Sequence, residues 1–116
     1  MKNSKEAEIN LKVSIHGYKR GKERIGLPKR AILKQFKLAI EKGVHQGETT
    51  GKLRKYLDAL SLHEEQAHKV SAWNNHLFVY TIQKVEQVDT AVLITVLPLP
   101  PYIARLIHYK KKGERQ

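Results

Sequence analysis

Two strand-like runs, His76 to Val85 and Val88 to Leu97, are separated by only two residues, Glu86-Gln87. Both runs are rich in β-branched and aromatic residues, and a two-residue connection admits only a tight hairpin, so they predict an antiparallel pair. Lys69 to Trp73 is a shorter strand ahead of them, joined through Asn74-Asn75, a pair that tolerates positive φ. Pro98, Pro100 and Pro101 stop the sheet, because proline cannot donate to a ladder.

The first half of the chain has a different period. Gly26-Leu27-Pro28 starts a helix, with Pro28 supplying a φ suited to a first helical position. Ala31, Ile32, Phe36, Ala39 and Ile40 then share one face, and Gly43 stands where a C-terminal cap belongs. Thr49-Thr50-Gly51 opens a second helix with a stripe of Leu53, Tyr56, Leu57 and Leu60, and Ser61 to His68 is polar, a loop or a fraying end. Ile9 to Ile15 alternates apolar and polar residues, the mark of a half-buried strand or extended arm. Gly17 and Gly21 loosen the segment that follows, so any helix between them is expected to be short. A short helix over Tyr102 to Tyr109 completes the pattern. The expectation is a single α+β domain over residues 1–116, its N-terminal helices packed on one face of a four-stranded antiparallel sheet. Residues 1–8 form a flexible N-terminus, and residues 110–116 a basic tail, more an electrostatic arm than a folded element. Phe36, Ile40, Leu57, Phe78, Val92 and Ile94 are the expected core.

Charge narrows the partner. The chain carries 22 Lys plus Arg against 11 Asp plus Glu, a net charge of +11. Between His16 and Lys37 eight basic residues face a single acid, Glu23. A positive field that dense points at a polyanion. Hydrophobic residues make up 41% of the chain, enough for one modest core. With no cysteine, disulfides, thiolate nucleophiles and cysteine-ligated zinc are excluded. No secretory h-region precedes Asn10, and the longest apolar run, Ala91 to Leu99, is too short to span a bilayer, so a cytoplasmic protein is expected.

His16 is the foremost acid/base candidate, since an imidazole can take or give a proton near neutral pH. Arg20 and Arg24 follow at four and eight residues and share its face if the segment is helical, where either can grip a phosphate oxygen bidentately. The plainer alternative is a histidine at a strand end beside solvated arginines. Thr50-Gly51-Lys52 offers a helix start and a charge to an anion, or else an ordinary N-cap, and it lacks the spacing of a Walker A loop. Lys19, Arg20, Lys22, Arg24, Lys29, Arg30, Lys52 and Arg54 are the candidate nucleic-acid contacts. Trp73, beside a turn, is the most plausible exposed stacking ring. His45, His63, His68 and His76 have no metal-site spacing, so neither a metal nor another cofactor is expected.

The order His16, Arg20, Arg24, Gly26-Leu27-Pro28-Lys29, Lys42-Gly43, Thr50-Gly51-Lys52-Leu53 and Ile94-Thr95-Val96-Leu97-Pro98 resembles small proteins of phages and mobile elements. More distantly it resembles the ribonuclease superfamily of barnase, EndoU, the colicin nucleases and RelE. The resemblance spans about Ile15 to Pro98. It implies helices followed by a four-stranded antiparallel sheet, and RNA as ligand or substrate, cleaved without metal through a 2′,3′-cyclic phosphate. It also implies that Thr95 points into a cleft. The plainer alternative is a β-forming threonine whose hydroxyl reaches a backbone carbonyl. On this resemblance His16, Arg24 and Thr95 are the candidate catalytic residues.

Three functions follow. The sequence places first a protein that binds RNA or an RNA–protein complex, such as a counter-defence inhibitor of a CRISPR guide-RNA effector. It places narrowly second a metal-independent endoribonuclease with His16 as acid/base and Arg20, Arg24 and Lys52 stabilising the phosphorane. A DNA-binding regulator is third, since no helix-turn-helix pair flanks the Pro28 to Gly43 helix.

Overall fold

The computed structural model describes residues 10–61 and 68–114 of the chain. In chain order its elements are β1 (Asn10–Val13), α1 (Ile15–Ile25), α2 (Lys29–Lys42), β2 (Val44–His45), a 3₁₀ turn (Gln46–Glu48), α3 (Gly51–Ser61), β3 (Lys69–Trp73), β4 (His76–Val85), β5 (Val88–Pro98) and α4 (Pro101–Glu114). The class is α+β, as the two sequence periods require.

The β3–β4–β5 meander is antiparallel, and both connections are two-residue turns with positive φ at each position. Asn74 and Asn75 accept that conformation readily, whereas Glu86 and Gln87 adopt it at a steric cost. The sheet itself departs from the expected four antiparallel strands. It has five, in the order β1-β5-β4-β3-β2, and β1 runs parallel to β5 with Leu11 opposite Ala91 and Val13 opposite Leu93. The extra strand on the far side is the two-residue β2, set against Ser71 and Ala72 of β3.

Nor do the helices share one face. Alternation along β4 sends Phe78 and Tyr80 to one side, where they join Ile32, Phe36 and Ala39 of α2 with Leu93 and Val96. Leu77 and Val79 point to the other, where they meet Leu53 and Leu57 of α3 and Ile103 and Ile107 of α4. A meander with two apolar faces leaves neither to water, so a helical layer on each side is the stable outcome. Phe36 is fully buried, stacked on Phe78 and edge-on to Tyr80, and its burial is worth about 1.5–3 kcal/mol.

Two local expectations also change. α1 runs unbroken through Gly17 and Gly21, both buried, with Ser14 as N-cap accepting from the Gly17 amide at 2.8 Å. The glycines admit close packing rather than loosening the chain. A Cβ on Gly17 would lie 2.5 Å from the Leu93 carbonyl oxygen, and one on Gly21 2.8 Å from Ile32 Cδ1. The last helix is longer than Tyr102 to Tyr109, with a helical backbone through Lys110, Lys111 and Lys112 to Glu114. The expected flexible N-terminus and most of the Ser61 to His68 loop lie outside the described residues. No helix among the described residues is long and apolar enough to cross a membrane.

Candidate functional site

β1 ends at Val13, so β5 beyond Leu93 has no strand on that side. α1 takes the vacant place. The Ser14 amide donates to the Leu93 carbonyl at 3.1 Å, and the Arg24 guanidinium donates through Nη1 to the Val96 carbonyl at 2.6 Å. An arginine thus satisfies an edge acceptor that a strand would otherwise have met. Only one of its five N–H donors is engaged there.

This seating turns the His16, Arg20 and Arg24 stripe of α1 over the edge of the sheet, toward the face that carries α3 and α4. A cleft of about 490 Å³ opens beneath it. The three α1 side chains form one wall, Val79, Thr95 and Leu97 lie along the sheet, and Leu60 and His68 contribute from the α3 and β3 side. The candidate catalytic residues His16, Arg24 and Thr95, distant in sequence, therefore line one cavity together with Arg20.

A β-bulge shapes the floor. Val79 is opposite Thr95 but Tyr80 is opposite Leu93, which leaves Ile94 as the extra residue. Neighbours on a regular strand point to opposite faces; the bulge lets Ile94 and Thr95 both line the cleft. Ile94 is half-buried here rather than the core residue expected of it. Among the described residues the Thr95 hydroxyl has no hydrogen-bond partner, which removes the alternative in which it bonds a backbone carbonyl.

The polar groups of the wall are close to one another. Arg20 Nε donates to His16 Nε2 at 3.4 Å, and Arg20 Nη1 pairs with Glu23 at 3.0 Å on the outer side. That ion pair is exposed, so it steers the guanidinium more than it stabilises the fold. Among the described residues no carboxylate lines the cleft, and no three His, Asp or Glu side chains gather as a metal set. The lining fits an anion.

The remaining candidates lie elsewhere. Lys19, Lys22, Lys29 and Arg30 are exposed around α1 and the first turn of α2, with Lys29 Nζ 5.9 Å from the Tyr18 ring centroid. Lys52 and Arg54 stand in the first turn of α3, whereas the cleft meets that helix at Leu60, about 9–12 Å along its axis. Arg54 instead donates to Asp58 at 2.9 Å, and Gln46 donates to the same carboxylate at 2.6 Å. The Gln46 hydrogen bond first, and Arg54 after it, hold the Asp58 carboxyl below its ordinary range. Trp73 is not an exposed stacking ring. It packs against the α2-side core and its indole N–H donates to Gln35 at 3.0 Å.

His68 is the cleft residue that sequence reasoning missed. Its spacing from the other histidines bears only on metal binding, and nothing in its local pattern signals a place opposite His16. His45 lies away from the cleft, in a hydrogen-bonded chain with Ser71 and Tyr80. Comparison of the chain with models of protein families, with curated proteins and with solved structures gave no match.

Proposed function

We propose that this protein acts on RNA, as an endoribonuclease that cleaves without a metal ion. The observation that carries the reading is the convergence of His16, Arg20, Arg24 and Thr95 on one cleft. Arginines there can neutralise a phosphate and the extra charge of a phosphorane, and a histidine beside them can move a proton. Among the described residues the charged side chains of the lining are arginines, a setting that favours a phosphate over a divalent ion. Cleavage then needs an internal nucleophile, and the 2′-hydroxyl supplies one in RNA and not in DNA. The expected products are a 2′,3′-cyclic phosphate and a 5′-hydroxyl.

Helix electrostatics support a polyanionic partner. None of the four α-helices among the described residues carries an acid in its first turn, and α2 opens on Lys29-Arg30. Cations at a helix N-terminus oppose the macrodipole by about 0.3–1 kcal/mol each. A bound phosphate chain offsets that cost.

The test is end-labelled RNA incubated with the purified protein in excess chelator. Wild type should release cyclic-phosphate ends, and His16→Ala should slow the release by about 10²–10⁴-fold with little loss of RNA affinity. Tight RNA binding without any product would instead favour a protein that occupies RNA, or the RNA groove of a ribonucleoprotein, without cutting it.

A further inference from the structure

We infer that His68 is the second proton-transfer group of this cleft, the general acid that protonates the leaving 5′-oxygen; the inference rests on the ribonuclease reading. His68 immediately precedes β3, where Val70 is paired with Val79. Alternation puts His68 on the same sheet face as Val70 and Val79, the face on which the cleft opens. β3 lies two strands from β5, so about 10 Å of sheet separates it from the edge that α1 covers. His16 and His68 thus enter one cavity from opposite sides, with the arginines on the His16 side.

The state of the ring sets His68 apart. Its Nδ1 is the one buried side-chain nitrogen or oxygen among the described residues that has no hydrogen-bond partner. No described residue bonds Nε2 either, and Nε2 is not among the sealed atoms, so it is the accessible ring nitrogen of a histidine that lines the cleft. A structural histidine in this fold looks different: His45 has both ring nitrogens engaged, by Ile40 and Ser71. His16 offers an Nε2 lone pair, marked by the long bond from Arg20, which is the form a base requires.

The step balances with these two groups. His16 takes the 2′-hydroxyl proton as the 2′-oxygen bonds to phosphorus. The bond from phosphorus to the 5′-oxygen breaks, and that oxygen takes the Nε2 proton of His68. His68 enters the step as imidazolium, leaves it as neutral imidazole and is reprotonated from His16 through water. The products are the cyclic phosphate and a 5′-hydroxyl. Attack and departure lie on opposite sides of the phosphorus, as the opposed walls allow.

Two substrates separate this role from a structural one: single-stranded RNA, and uridine 3′-(4-nitrophenyl phosphate), whose nitrophenolate departs without a proton. His68→Gln should cut RNA about 10²–10⁴-fold more slowly while cleaving the nitrophenyl ester within a few-fold of wild type, and its rate on RNA should lose the alkaline fall of the wild-type profile. His16→Gln should slow both substrates. If His68→Gln cuts RNA at the wild-type rate, or slows both substrates alike, His68 is not the acid, and the ribonuclease reading survives. A wild type that cleaves neither substrate overturns the ribonuclease reading and this inference with it.

Discussion

At position 45 a single imidazole ties three elements together. Its Nε2 lies 2.7 Å from the Ile40 carbonyl, which can only accept, so Nε2 carries the proton and Nδ1 accepts from Ser71 Oγ at 2.7 Å. Ser71 in turn accepts from the Tyr80 hydroxyl at 3.2 Å. Burial pushes the Tyr80 phenol above its ordinary 10.0. A raised folded-state value means this contribution to stability is complete below pH 10.0 and lost as pH climbs past it. Ser71→Ala strands both His45 Nδ1 and the phenol, and should destabilise by about 1–3 kcal/mol. Tyr80→Phe leaves the Ser71–His45 bond intact and should cost about 0.5–1.5 kcal/mol. Urea melts of the two variants check the order, and a Tyr80→Phe loss as large as that of Ser71→Ala would show the chain is not directional as described.

Among the elements, α1 decides the site. Its stripe of His16, Arg20 and Arg24 was legible, because residues four apart fall on one helix face whatever the helix packs against. The helix itself was harder to see, since glycine lowers intrinsic propensity by about 1 kcal/mol, and two of them argued for a broken segment. Propensity is local, while the reason for Gly17 is the Leu93 carbonyl across the interface. Gly17→Ala forces a Cβ against backbone that cannot yield and should destabilise by about 1–3 kcal/mol. On the proposed ribonuclease reading, displacing α1 should also weaken RNA cleavage beyond what the melting curve accounts for. At Gly21 the obstacle is the flexible end of Ile32, so Gly21→Ala should be milder on both counts. Equal losses at the two positions would mean that α1 is not seated on the Leu93 carbonyl.

Over the whole molecule, charge is the broadest property, and it divides into two regions. Arg20 and Arg24 face the cleft, whereas Lys52 lies at the far end of α3. Replacing Arg20 and Arg24 with glutamine should lower the salt dependence of RNA affinity by about one to two counterions. Lys52→Gln should leave the slope nearly unchanged, and anisotropy titrations across a salt series check both. A slope that responds only to Lys52 would move the RNA path off the cleft.

Composition and period by themselves determined the class, the α2 face, both two-residue turns and a strongly basic surface. Each depends on neighbours a few residues apart, which the sequence displays directly. The parallel pairing of β1 with β5, the helical layers on both faces and the meeting of His16, Thr95 and His68 came only from the tertiary structure. Val13 and Leu93 are brought together through the chain between them, and a strand of four residues carries no sign of which edge it will join. The bulge at Ile94 is equally silent in sequence, because its apolar run reads as unbroken strand. Long-range pairing chooses the partner of each edge, and here that choice also builds the cleft.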